Sequence, residues 1–256
     1  MIDSHCHIDL PAFDVDRDDV IRHAFDVGLT RILVPGLTLD QFDTLLSLKQ
    51  QYSRLDICLG LHPYFLKQLC KPALTTQLAS MHKLGQQYKD KIVAIGEAGL
   101  DGSLALDIHY QENILAAQIE LAAHLSKPLV LHHRQSHNQL ISLLKRYAFK
   151  GGGVVHAFSG SQQIAETYID MGFLLGVGGT ITYARAKKTR KTIHQIDLQY
   201  LLLETDSPDM PLFGYQGKRN SPLQLLNVAR ALAELKGLEL ADVIHKTSSN
   251  YTRLFK

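Results

Sequence analysis

The sequence lacks the features that mark secreted and membrane-spanning proteins. Its three cysteines, Cys6, Cys58 and Cys70, are odd in number and scattered, so they form no disulfide framework. The first residues, MIDSHCHIDL, have no basic segment followed by an apolar core, so we expect no signal peptide. No run of about 18 apolar residues is long enough to span a bilayer. We therefore expect a reducing, cytoplasmic location, no membrane association and no obligatory protein partner.

An excess of charge of one sign is also missing. The 256 residues contain 27 Lys and Arg against 25 Asp and Glu, a formal net charge of +2. Because this balance creates no global field for a polyanion, any affinity for nucleic acid must come from local groups. Apolar residues make up 45% and charged residues 20%, which is typical of a globular protein. The sequence contains 13 histidines, and their positions are informative about function.

Short apolar runs alternate with stretches of helical periodicity along the whole chain. The runs that we interpret as strands are Ile2–His7, Arg31–Val34, Asp56–Leu59, Ile92–Gly96, Leu129–His132, Val154–His156, Phe173–Val177 and Leu201–Glu204. The clearest helical stretches are Asp14–Val27, Leu39–Gln51, Leu74–Tyr88, Leu106–Leu125, Asn138–Arg146, Gln162–Met171 and Ser221–Lys236. Eight strands that alternate with helices in one chain of this length predict a single (β/α)8 TIM barrel, residues 1–256, of the α/β class. A doubly wound open sheet is the alternative, but the Gly-rich first turn typical of that fold is absent.

The first predicted strand carries two histidines at alternating positions. Side chains at i and i+2 of a strand point to the same face, so His5 and His7 should lie side by side. If Ile2, Cys6 and Ile8 face the helices, both imidazoles enter the barrel. Paired core histidines are the structural alternative, but this placement favours a chelating pair for a metal ion.

Four later strands also end in side chains of the ligand type. These are Glu97 and Asp101 after the fourth strand, His132 and Arg134 after the fifth, His156 after the sixth, and Glu204 and Asp206 after the eighth. In a (β/α)8 barrel the carboxyl ends of all strands meet at one face, where the functional residues lie. Burying so many ionisable groups together would be destabilising without a shared cation.

The predicted set contains more ligands than one tetrahedral zinc ion needs. Four histidines and two or three carboxylates instead suit two divalent cations, Zn, Mn or Mg, about 3.5–4 Å apart, with an open position for water. Glu97 comes from the middle of the ligand set and is the natural bridge between them.

At this point the motifs resemble those of one family, the TatD-type metal-dependent deoxyribonucleases of the amidohydrolase superfamily. The matching segments are His5-x-His7, Gly60-Leu61-His62-Pro63, Gly96–Asp101, His132-x-Arg134, His156–Gly160, Glu204–Pro208 and Gly217–Pro222. The resemblance implies a metal-dependent hydrolase of phosphodiester bonds in DNA, single-stranded or at strand ends, and an exonucleolytic mode. It also implies His5, His7, Glu97 and Asp206 around one cation, and Glu97, His132 and His156 around the other.

Catalytic roles follow as hypotheses from these positions. Asp206, at the tip of the eighth strand, is the candidate acceptor of the proton of the attacking water, and Glu97 bridges the cations. Glu204 lies one layer deeper and is expected to hold a metal-binding histidine in the correct tautomer. Arg134 and His62 are candidate phosphate donors, although a purely structural pair is the alternative.

Two basic segments are candidate substrate contacts. Lys218 and Arg219 lie in the loop after the eighth strand, where barrel enzymes often hold phosphate. The run from Arg185 to Lys191 follows the seventh strand and could line a groove for a nucleic-acid backbone. A solvated helix face is the ordinary explanation of such a run.

Two other functions remain open from the sequence. The same metal site could attack an amide, a lactone or a carbamate, since metal chemistry alone does not distinguish carbonyl from phosphorus centres. The second possibility is a barrel that binds nucleic acid or a protein partner without catalysing a reaction. The complete ligand set argues against it.

Overall fold

Eight parallel strands form the centre of the molecule in the computed structural model, which describes residues 1–67 and 69–255. The strands are β1 (Ile2–Asp3), β2 (Arg31–Val34), β3 (Leu55–Leu59), β4 (Ile92–Asp101), β5 (Leu129–Arg134), β6 (Gly153–Val155), β7 (Phe173–Val177) and β8 (Leu201–Leu203). Each strand pairs with the next in chain order. The amide of Ser4 donates to the carbonyl of Leu203 at 2.9 Å and so closes the ring between β8 and β1. The predicted (β/α)8 barrel is confirmed.

Helices surround the barrel. They are α1 (Arg17–Asp26), α2 (Phe42–Gln51), α3 (Lys71–Gln87), α4 (Ile108–Leu125), α5 (His137–Arg146), α6 (Gln162–Asp170), α7 (Lys187–Gln195), α8 (Leu225–Lys236) and α9 (Leu240–Leu254). The clearest helical stretches of the sequence omit α7 and α9, because the buried faces of these helices include polar residues, Thr189 and Thr192 in α7 and Thr247 and Asn250 in α9. Among the described residues no helix is both long and apolar enough to cross a membrane.

The core has two layers. Each strand contributes one side chain to a cluster inside the barrel: Ile2, Leu33, Cys58, Ala94, Val130, Val154, Leu174 and Leu202. Tyr251 of α9 joins this cluster and closes the amino end of the barrel. A second, larger cluster fills the space between the strands and the helices. The packed interior leaves only the carboxyl end of the barrel open for chemistry.

The prediction that side chains alternate strictly between two faces along Ile2–His7 is wrong at the start of this segment. Regular pairing of β1 ends at Asp3 and the chain bends at Ser4. Ile2 therefore points into the barrel, whereas Cys6 belongs to the layer beneath the helices, as expected. The amide of Cys6 donates to Leu33 at 3.0 Å and that of His7 to Ser207 at 2.8 Å. These two bonds hold the His-x-His segment between β2 and the chain after β8.

Candidate metal centre

The predicted ligands converge at the carboxyl end of the barrel. They line a pocket of about 550 Å³ that contains His7, Glu97, His132, His156 and Asp206. Glu97 is 1% exposed and lies on the floor of this pocket, surrounded by imidazoles. The structure thus places side chains from β4, β5 and the segments after β1, β6 and β8 within one centre.

One oxygen of Glu97 faces the His-x-His pair. Its Oε2 lies 3.0 Å from Nε2 of His5 and 3.4 Å from Nε2 of His7. The two imidazole Nε2 atoms are themselves 3.2 Å apart. The three side chains form a compact group whose donor atoms are arranged as a metal ion requires.

The other oxygen of Glu97 faces a second set of imidazoles. Its Oε1 lies 3.0 Å from Nε2 of His156, 3.2 Å from Nδ1 of His132 and 3.3 Å from Nε2 of His62. The carboxylate therefore separates two groups of nitrogen donors, with one oxygen directed at each. This is the arrangement that a bridging ligand needs.

Asp206 approaches the centre from the chain after β8. Its Oδ1 lies 3.6 Å from Nε2 of both His5 and His7. The backbone at Asp206 is left-handed, with φ of 55°, and its amide donates to the carbonyl of His5 at 2.9 Å. Burial raises the pKa of this carboxyl to about 6, against the opposing effect of His156 and His7. Strained backbone conformations of this kind cluster at functional sites.

A deeper layer of carboxylates stands behind the imidazoles. Oδ2 of Asp101 lies 3.6 Å from Nε2 of His132, and Oε1 of Glu204 lies 3.6 Å from Nδ1 of His156. Glu204 also accepts a hydrogen bond of 2.6 Å from the amide of Ala157. A Cβ atom at Gly176 would lie 2.1 Å from Oε2 of Glu204, so only glycine leaves room for this carboxylate. At 3.6 Å these oxygens lie beyond hydrogen-bond distance of the ring nitrogens, but carboxylates in this position behind a metal-binding histidine favour the tautomer that leaves the facing nitrogen free.

Charges within the centre are strongly coupled. Burial alone would raise the pKa of Glu97, but His156, His62 and His5 outweigh it and hold that pKa well below its usual range. Burial likewise opposes protonation of His156, but Glu97, Asp206 and Glu204 raise its pKa well above the ordinary value. The centre without metal therefore keeps Glu97 ionised and a proton on His156. A cation that binds here displaces that proton.

Several buried polar atoms of the centre have no hydrogen-bond partner. They are Nδ1 of His5, His7 and His156, Nε2 of His132 and one oxygen of Glu204. Each of these nitrogens is the one that points away from Glu97, so a cation beside Glu97 would bind the opposite nitrogen of each ring. Neutral imidazoles and carboxylates are the donors that Zn²⁺ and Mn²⁺ accept. The residues present therefore fit divalent cations.

His62 differs from the other imidazoles in its tautomer. Its Nδ1 accepts a hydrogen bond of 3.1 Å from the amide of Tyr64, so the neutral ring carries its proton on Nε2. In that tautomer Nε2, 3.3 Å from Oε1 of Glu97, is a donor, although His62, Glu97 and His132 also lie close enough together to hold an ion. Gln118 of α4 holds this loop, because its side chain bonds both the amide and the carbonyl of Leu61, at 2.9 and 3.1 Å.

The predicted substrate contacts divide into two groups. His62 and Arg134 line the pocket, with Arg134 exposed at its wall. Lys218 and Arg219 are not among its lining residues. The guanidinium of Arg219 donates to both oxygens of Asp16, at 2.8 and 2.6 Å, and to the carbonyl of Ala12. It joins the loops after β1 and β8, and this pairing gives no support to a substrate contact.

The basic run Arg185–Lys191 lies in the loop after β7 and the first turns of α7. Arg185, Lys187 and Lys188 are exposed. Arg190 is turned inward, and its guanidinium donates to the carbonyl of Ile181. Only part of the run therefore presents charge to a ligand.

Sequence reasoning gave no role to two glutamines of α4. Gln111 bonds the amide and the carbonyl of Asp101, at 2.8 and 3.1 Å, as Gln118 does for Leu61. The two positions are seven residues apart and share one helix face. Polar residues at that spacing on a buried face are the signal that could have revealed them.

Comparison with known proteins identifies close relatives over the whole chain. The family model described as TatD related DNase matches residues 2–256. The uncharacterized metal-dependent hydrolase YjjV of Escherichia coli is 41% identical, over 98% of this chain and 95% of that protein. The human deoxyribonuclease TATDN3 is 29% identical, over 100% of this chain and 94% of that protein.

Solved structures agree with the sequence comparison. The crystal structure of YjjV, a TatD homologue from Escherichia coli, superimposes with a TM-score of 0.92 at 39% identity. The match covers 100% of this chain and 97% of that chain. The barrel and its connections are therefore shared along the full length.

Proposed function

This chain belongs to the TatD-related DNase family of metal-dependent hydrolases, and on that premise we propose that it hydrolyses phosphodiester bonds of DNA from a strand end. The observation that carries the proposal is the position of Glu97, with one oxygen directed at His5 and His7 and the other at His132 and His156. That geometry supports two divalent cations bridged by Glu97. Since the centre lies on the floor of a pocket, an end of a strand fits it better than an internal segment.

The cation pair would be held by His5, His7, Glu97 and Asp206 on one side and by Glu97, His132 and His156 on the other. When bound, divalent cations supply Lewis acidity that activates water and stabilises charge on phosphate oxygens. Asp206 accepts the proton of the attacking water, and burial suits it to this role because it raises the pKa of the carboxyl to about 6, towards neutrality. Glu204, 3.6 Å from Nδ1 of His156, favours the tautomer that leaves Nε2, on the side of Glu97, free to bind a cation.

The substrate phosphate is bound by two donors of the pocket. The Nε2–H of His62 points into the centre, and the guanidinium of Arg134 lies at the wall. A planar guanidinium matches two oxygens of a phosphate, which favours a phosphodiester over an amide or a lactone.

Metal reconstitution tests the proposal. The protein is stripped of metal, reloaded separately with Zn²⁺, Mn²⁺ or Mg²⁺, and assayed on single-stranded DNA, RNA and a panel of amides, lactones and carbamates. We expect cleavage of DNA that depends on the added cation and releases products from one end. Cleavage of the carbonyl panel alone would overturn the proposal and establish the amidohydrolase activity instead.

A variant at Asp206 tests its role as proton acceptor and ligand. Asp206→Asn should abolish turnover while leaving the fold intact, and Asp209→Asn, an exposed acid of the same pocket, is the matched control. Full activity of Asp206→Asn would remove the role assigned to this residue.

A further inference from the structure

A second cavity adjoins the pocket of the metal centre. It has a volume of about 270 Å³ and is lined by Thr180, Tyr183, Arg185, Ala186, Met210 and Pro211. Met210 borders both cavities, since it also lines the pocket that contains Glu97. The two cavities therefore lie side by side at Met210, and a ligand that extends from the metal centre past this residue would reach the second one.

Exposed aromatic side chains are concentrated around these two cavities. Among the described residues five large aromatic side chains are exposed: Tyr64, Phe65, Tyr147, Phe213 and Tyr215. Four of them lie in the loops after β3 and β8, at the open end of the barrel, and only Tyr147 follows the end of a helix at the opposite face. Exposed apolar groups gathered in this way mark a binding surface.

Phe213 is held beside the second cavity with most of its surface free. Its ring contacts Tyr183 edge to face, with 5.8 Å between centroids, and the Tyr183 hydroxyl is fixed by a hydrogen bond of 2.7 Å to the carbonyl of Pro211. The side chain of Phe213 remains 65% exposed. A fixed aromatic face open to solvent is a surface on which an unpaired base stacks.

The segment between β7 and the end of α7, on one side of this cavity, carries charge of one sign. The guanidinium of Arg185 lies 4.9 Å from the centroid of Tyr183, and Lys187 and Lys188 are exposed next to it. The segment 178–196 contains five Lys and Arg and no Asp or Glu. Aromatic stacking surfaces combined with cations are characteristic of sites for single-stranded nucleic acid.

We propose that the second cavity is a nucleotide subsite for single-stranded DNA, an inference that rests on the proposed function. The nucleotide beside the one at the metal centre places its base against Phe213 and its phosphate at Arg185. The base must be unpaired to stack there, so the site selects single-stranded over double-stranded DNA. The enzyme then needs a substrate at least one nucleotide longer than the unit it releases.

The test compares a variant of the subsite with a control variant in which a similar pair, one cation and one aromatic residue, is changed at the amino end of the barrel. The double variant Arg185→Gln, Phe213→Leu should raise KM for a single-stranded oligonucleotide about tenfold or more, because it removes one stacked base and one phosphate contact. The control variant Arg146→Gln, Tyr147→Leu changes an exposed cation and aromatic at the far end and should leave KM unchanged. Both should hydrolyse bis(p-nitrophenyl) phosphate as the unaltered protein does, since that diester occupies only the metal centre.

Binding provides a second readout that does not require catalysis. Fluorescence anisotropy with a hydrolysis-resistant phosphorothioate strand should show weaker binding of the subsite variant and a smaller salt dependence, by about 0.7 in slope for one lost phosphate contact. Unchanged KM and unchanged DNA binding in this variant would overturn the subsite. If the unaltered protein cleaves neither DNA nor the small diester, the proposed function fails, while the binding comparison still decides the subsite.

Discussion

Asp56 at the amino end of the barrel and Glu97 at the carboxyl end are both buried acids, yet their partners differ in kind. Asp56 accepts hydrogen bonds from Arg31 at 3.0 Å, from Lys49 at 3.3 Å and from the hydroxyl of Tyr251 at 2.8 Å. Glu97 meets only imidazoles. Arg and Lys keep their charge at all ordinary pH values, whereas imidazole gains and loses a proton near neutrality.

This difference indicates that Asp56 belongs to a structural ion pair, whereas Glu97 belongs to a site that can bind and release a cation. Around Asp56 the positive charges are covalently part of the chain, and no additional ion is needed. Around Glu97 the partners are imidazoles, whose charge changes near neutral pH, so the carboxylate has no permanent counter-charge and the centre suits a bound cation. On the proposed function, the two ends of one barrel use similar acids, one for stability and the other for chemistry.

The largest effect expected concerns activity at the carboxyl end. Glu97→Gln removes the charge between the two sets of imidazoles and should lower kcat by about 10³-fold or more, equivalent to about 4 kcal/mol. The melting temperature of the metal-free protein should change little, because the histidines lose their protons when the acid is removed. Steady-state kinetics and calorimetry on the same samples measure both. Retained activity would contradict the bridging role.

A smaller effect, on stability alone, is expected at the amino end. Asp56→Asn leaves Arg31 and Lys49 without their counter-charge; because these side chains are partly exposed, we expect a loss of about 2 kcal/mol. For a chain of this length that lowers the melting temperature by about 4–8 °C. Activity per folded molecule should be unchanged.

Tyr251→Phe is a milder variant at the same end of the barrel and serves as a control for the size of the stability loss. It removes only one hydrogen bond to Asp56, so the loss of stability should be about 1 kcal/mol and smaller than for Asp56→Asn. If Asp56→Asn instead lowered kcat as strongly as Glu97→Gln, the functional separation of the two ends would be wrong.

The smallest effect expected is a change in acid sensitivity. Burial lowers the pKa of His137, whose ring bonds the carbonyl of Ser159 at 2.8 Å, below its ordinary value. A histidine with a lowered pKa in the folded state binds fewer protons than in the unfolded state, so stability is lost as pH falls below about 6.5. His137→Asn should therefore flatten the decline of melting temperature between pH 7 and pH 5.

His109 provides the opposite control. It is exposed, and its hydrogen bond to Glu112 raises its pKa, so its contribution to stability is present at low pH and is lost as pH rises. His109→Asn should steepen the acid decline slightly or leave it unchanged. An equal flattening in both variants would assign the acid sensitivity to another group.

Much of the centre could be predicted because its chemistry is local to the strand ends. His5, His7, Glu97, His132, His156 and Asp206 each follow or end an apolar run, and a parallel barrel brings all such ends to one face. The barrel itself follows from the alternation of strands and helices, which depends on near neighbours in the chain. The error at Ile2 arose because a bend at Ser4 changes the alternation, and no pattern in the residues marks it.

The amino-acid sequence by itself predicted the fold class and which histidines and carboxylates meet at the open end of the barrel, since periodicity and residue type are local properties. The tertiary structure alone decided which oxygen of Glu97 faces which imidazoles, that His62 donates from Nε2, and that Arg219 pairs with Asp16. It also joined Tyr251 to Asp56, 195 positions away in the chain. These contacts unite residues distant in sequence, and closure of the barrel sets their distances.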